Sequence, residues 1–112
     1  MEQVIFRILD DGTEDLTGIW EIVDYFSAHT HSEKIVKAKE VLTVLSECGL
    51  IELYIGKQFS GEEQLIHPDQ TYKQLNDNRF WEIDNKIEPE QDIRFKSTER
   101  GEKLLFCATT IE

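Results

Sequence analysis

Two groups of side chains in this sequence have types and spacings that chemistry can use. His29 and His31 flank a single residue and Glu33 follows, which sets two imidazoles and a carboxylate close together along the chain. Zinc takes such ligands, but at fixed tetrahedral positions that spacing alone does not impose. The pair falls where a turn between two helices is expected, and His67 is remote and precedes Pro68, so no metal or other cofactor is expected. Asp10, Asp11, Glu14 and Asp15 gather four carboxylates that can hold calcium or share protons as acid and base. Their spacing is not that of a calcium-binding loop, and the same residues suit a turn followed by a solvated helix start. Cys48 and Cys107 are too few for a disulfide framework or a zinc site. Cys48 falls on an apolar helical stripe and is expected to pack there. The sequence offers no nucleophile with a base and an orienting partner, and no glycine-rich nucleotide loop, so catalysis is not expected.

A third group points to recognition instead. Between Lys57 and Gln91, Phe59, Tyr72, Phe80 and Trp81 stand among Glu62, Glu63, Asp69, Asp77, Glu82 and Asp84. Aromatic anchors ringed by acids suit a basic protein partner, because the acids steer its approach and the aromatics hold it. The same aromatics can equally form the segment's own core. The candidate protein-binding residues are these four aromatics with Glu62, Glu63, Asp77, Glu82 and Asp84.

Charge bears on the same question. The formal net charge is −11, distributed unevenly. Residues 1–31 carry seven acids against Arg7, residues 57–91 carry eight acids against four bases, and residues 92–112 balance. Such a field repels phosphate and attracts basic surfaces, although acidity also serves solubility alone. Apolar runs are too short for a membrane span. Met1-Glu2-Gln3-Val4 has neither the basic start nor the apolar core of a signal peptide, so a cytoplasmic protein with reduced cysteines is expected.

The elements that must position these residues fit one domain of 112 residues, long enough to bury roughly two-thirds of its unfolded surface. In Val4–Leu9, Ile5, Ile8 and Leu9 fit a helical face while Val4, Phe6 and Ile8 fit strand alternation; the Asp10-Asp11-Gly12 stop favours a helix ending at Gly12. Leu16, Ile19, Trp20, Val23 and Phe26 repeat at threes and fours, predicting a second helix capped by Asp15 or Thr17. Thr30 and Glu33 have capping-box spacing, and Ile35, Ala38, Val41, Leu42, Leu45 and Cys48 form the stripe of a third helix stopped by Gly49. Residues 50–56 and 92–96 alternate and are expected to pair as antiparallel strands. The 35 residues between them, 57–91, are too many for a structureless loop; a short helix opening at Pro68, with Tyr72 and Leu75 as its anchors, is expected there. Thr98 caps a last helix carrying Leu104, Leu105 and Ala108.

This order resembles the winged-helix superfamily. The run Val41-Leu42-Thr43-Val44-Leu45-Ser46-Glu47-Cys48-Gly49-Leu50-Ile51-Glu52 resembles the end of the recognition helix and the first wing strand of MarR-like and PadR-like regulators. The later Ile93-Arg94-Phe95-Lys96-Ser97-Thr98-Glu99-Arg100-Gly101 looks like their second wing strand entering a helix that opens Thr-x-x-Gly. The resemblance implies an α+β winged helix (α/β in the broad sense): three helices, a two-stranded antiparallel wing and a C-terminal helix; the chain departs from it in 57–91, an acidic insert within the wing, which in the family is short and usually basic. It also implies DNA binding through Lys34, Lys37 and Lys39. Glu33, Glu40 and Glu47 offset those lysines, and no arginine lies between Arg7 and Arg79 to read guanine. The expected function is therefore a non-enzymatic acidic protein-binding module. Its concrete form is an immunity- or antitoxin-like inhibitor of a basic protein such as a nuclease, with a winged-helix transcriptional regulator as the alternative.

Overall fold

The computed structural model describes residues 2–14, 16–56, 63–81 and 92–110. In chain order these form α1 (Glu2–Glu14), β1 (Thr17–Gly18), a 3-10 helix (Ile19–Tyr25), α2 (His31–Glu47), β2 (Ile51–Gly56) and β3 (Gln64–Ile66). A 3-10 turn (Pro68–Gln70) leads into α3 (Thr71–Leu75); a second (Asn78–Trp81), β4 (Asp92–Ser97) and α4 (Glu99–Thr110) follow. The strands make one antiparallel sheet in the order β1-β4-β2-β3, so the fold is mixed α+β.

α1 runs past Gly12 to Glu14, where a stop had been expected. Gly12 serves a close approach: a Cβ there would stand 2.7 Å from the Ser97 backbone nitrogen and 2.8 Å from the Ser97 Oγ. That contact lets the Ser97 hydroxyl donate to the Leu9 carbonyl at 2.6 Å, joining α1 to β4.

The second element is also different from its periodicity. Thr17 and Gly18 pair with Phe95 and Arg94 as β1, and the helix that follows is 3-10. Three residues per turn set Ile19 and Ile22 above one another on the core side, with Val23 and Phe26 completing the buried patch. Thr17 is not the cap: its hydroxyl donates to the Asp11 carbonyl at 3.0 Å, while Glu21 accepts from the Gly18 N–H at 2.9 Å. Asp15 lies outside the described residues.

α2 follows from its ends. The Thr30 Oγ1 accepts from the Glu33 N–H at 3.1 Å, and the Glu33 carboxylate reaches back to the His29 N–H at 3.3 Å, one residue before the cap. Gly49 has φ +74°, Leu50 N–H donates to the Leu45 carbonyl at 2.9 Å, and Gly49 N–H donates to the Ser46 carbonyl at 3.0 Å. This is the pattern of a left-handed glycine stop. Ala38, Leu42 and Leu45 are buried, with Ile35 and Val41 half-buried beside them. Cys48 is exposed, contrary to expectation, because it is the C-cap residue beyond the last packed turn.

β2 and β4 pair as expected, Leu53 opposite Phe95 and Ile55 opposite Ile93. β3 adds an unforeseen strand, placing buried Ile66 beside Leu53. The two segments that carry the family resemblance touch. Thr98 donates its N–H to the Leu50 carbonyl at 3.0 Å and its hydroxyl to the Gly49 carbonyl at 2.7 Å. Gly101 lies so near that a Cβ would come within 2.1 Å of the Leu50 oxygen. Its N–H is accepted by the Thr98 Oγ1 at 3.1 Å, which caps α4. On α4, Leu105 is half-buried, Leu104 is exposed, and the Ala108 side chain is outside the description.

Candidate functional site

The insert's aromatics divide. Trp81 is 3% exposed, and its Nε1 donates to the Leu75 carbonyl at 2.8 Å. A ring buried in this way is core, so Trp81 is not an exposed anchor. Phe80 is half-buried against the same core. Tyr72 is 60% exposed and does not anchor α3. Thr71 does that instead: it is fully buried, and its hydroxyl meets the Ser46 hydroxyl of α2 at 3.0 Å, with Leu75 one turn on. Of the acids, Glu63 and Asp77 are half-buried. Phe59, Glu62, Glu82 and Asp84 lie outside the described residues. The described part of the candidate surface is thus Tyr72 with Glu63, Asp77 and the exposed Asp69, whose carboxylate lies 2.6 Å from the His67 Nδ1.

On α2, Lys34 and the exposed Lys37 reach back toward the preceding segment. Lys34 lies 3.7 Å from Asp24, and the Lys37 ammonium donates to the Ser27 carbonyl at 2.5 Å. Lys39 is half-buried, whereas Glu33, Glu40 and Glu47 are exposed. Val36 and Val44 are exposed as well, at 52% and 55%. These valines were missed by the sequence reading, and the signal was present: they are the apolar residues of α2 that its buried stripe leaves out. His29 and His31 are exposed at the start of this helix. Among the described residues no cluster of three or more His, Cys, Asp or Glu is placed to hold a metal ion.

Among the described residues, four further cations have partners within the molecule. Arg7 stacks 3.8 Å from the Tyr25 ring centre, and Lys103 reaches Glu99 at 3.4 Å. On the sheet face away from the core, Arg94 lies over Trp20 at 5.1 Å and 3.7 Å from Asp92, while Lys96 lies over Tyr54 at 5.4 Å. Burial raises the Asp92 carboxyl above its ordinary value, outweighing the opposite pull of Arg94. Burial, reinforced by a 2.5 Å hydrogen bond donated to Glu52, pushes the Tyr54 phenol up to about 12. Tyr25 shifts upward likewise, first through burial and then through its hydrogen bond to Asp11.

A second surface opens between α1 and α4, where Phe6, Leu105 and Phe106 lie among charges of both signs, Arg7 and Lys103 with Asp10, Glu99 and Glu102. Among the described residues no helix is long and apolar enough to cross a membrane. Comparison of the chain with protein-family models, with curated proteins and with solved structures returned no match.

Proposed function

We propose that this chain is a non-enzymatic acidic protein-binding module on a winged-helix scaffold, acting as an immunity- or antitoxin-like inhibitor of a basic protein such as a nuclease. The scaffold reading is supported by the order α1, β1, a 3-10 helix, α2, β2, β4, α4, and by the contact between the Gly49-Leu50 and Thr98-x-x-Gly101 segments. One observation carries the functional reading. The helix that would enter a DNA groove presents three carboxylates, Glu33, Glu40 and Glu47, and one ammonium, Lys37, to solvent, while Lys34 is drawn to Asp24 and Lys39 is half-buried. A surface of that sign repels phosphate at long range and accelerates the approach of a basic protein.

Tyr72, Glu63 and Asp77 remain part of the proposed surface, with Phe59, Glu62, Glu82 and Asp84 as further members. The test is affinity capture from lysate of the source cell, followed by association kinetics of the captured partner at two salt concentrations. A basic partner whose association slows steeply with salt, and slows further with Glu62→Gln and Glu63→Gln, supports the module. Capture of only acidic or neutral proteins contradicts it.

A further inference from the structure

We infer that the outward face of α2 is a docking strip for a basic amphipathic helix of the partner, an inference that rests on the acidic-module reading and adds a second contact surface to that of the insert. The strip is Glu33, Val36, Glu40, Val44 and Glu47, five exposed residues at steps of three, four, four and three. At 3.6 residues per turn these steps keep all five on one side of the helix. They alternate acid, valine, acid, valine, acid over a rise of about 21 Å. α2 already buries its opposite side through Ala38, Leu42 and Leu45, and leaves the two valines more than half exposed. The nearby cations leave the strip acidic: Lys34 lies at Asp24, and Lys37, exposed on the same side with its ammonium on the Ser27 carbonyl, sets one positive charge against three carboxylates.

Charge and spacing together select the occupant. The carboxylates recur every seven residues, about 10.5 Å along the axis. A helix lying alongside presents lysine or arginine at the same seven-residue interval, with apolar side chains between them to cover the valines. A strand repeats each face at about 6.6 Å and loses register with the carboxylates after one contact. Duplex DNA is repelled by the same carboxylates.

Three synthetic peptides of three heptads each test this against the full chain by fluorescence anisotropy. One places lysine and leucine at heptad spacing, the second scrambles the same residues, and the third replaces lysine by glutamate. The periodic basic peptide is expected to bind, with the scrambled one about tenfold weaker and the acidic one silent. Val36→Ser with Val44→Ser should weaken binding about tenfold without altering its salt dependence; Glu40→Lys should weaken it and flatten that dependence. All three positions are exposed, so the variants keep the fold, which circular dichroism checks. Equal binding of the scrambled peptide, or binding indifferent to all three substitutions, overturns the strip while leaving an acidic module acting elsewhere. Failure of both basic peptides to bind at low salt overturns the strip and the module together.

Discussion

The Trp81 indole N–H donates to the Leu75 carbonyl at 2.8 Å inside the core, tying the second 3-10 turn of the insert to the end of α3. The insert therefore contributes to folding stability through Trp81. Trp81→Ala should destabilise the protein by about 3–5 kcal/mol through lost burial and the cavity left behind. Trp81→Phe should cost less, about 1–3 kcal/mol, chiefly by orphaning the carbonyl. Urea unfolding measures both; a loss below about 1 kcal/mol for the alanine variant would contradict the burial.

Two glycines separate steric closeness from backbone strain. Gly49 has φ +74°, and a Cβ there meets nothing nearer than the Arg100 guanidinium at 4.0 Å, so Gly49→Ala should cost only the left-handed strain, about 1–2 kcal/mol. At Gly12 the added methyl meets the backbone and hydroxyl of Ser97. Gly12→Ala should be the more damaging of the two in thermal unfolding, because β4 must move for the methyl to fit. The reverse order would place α1 farther from β4 than 2.7 Å allows.

Tyr54 gives the alkaline limb of stability a definite sign. Its phenol is raised from 10.0 to about 12 in the folded chain, so the folded form holds this proton over a range where the unfolded form has lost it. The contribution is complete below the unfolded value and is lost as pH rises through the interval toward the folded value. In a phenolate absorbance titration Tyr54→Phe should remove a tyrosine that titrates near 12, and its stability should fall less steeply across that interval. An unchanged titration would mean that the burial and the bond to Glu52 do not hold the proton.

The parts of this architecture legible in the sequence are those set by local hydrogen bonding or by a two-residue period. Thr30 and Glu33 announce the start of α2, Gly49 its end, and the alternation around Leu53 and Phe95 predicts their pairing. What escaped depends on partners distant in the chain. Gly12 looks like a helix stop until Ser97 is brought against it, and Thr17 and Gly18 become a strand only because Arg94 and Phe95 lie beside them. Tyr72 and Thr71 are adjacent, and only contact with Ser46 decides which is buried. The surface charge was readable by residue type, but the sideways turn of Lys34 and Lys37 was not, since Asp24 and Ser27 receive them from the preceding loop and 3-10 helix.

The central claim is that this scaffold binds a basic protein through carboxylates instead of DNA through lysines. Its most direct test is anisotropy of a labelled mixed-sequence DNA duplex and of the periodic lysine–leucine peptide, each titrated with the protein across one salt series. The account predicts no retention of the duplex at any salt concentration, and peptide binding that weakens as salt rises. Micromolar retention of the duplex that falls steeply with salt, and is lost with Lys34→Ala, Lys37→Ala and Lys39→Ala, would contradict it.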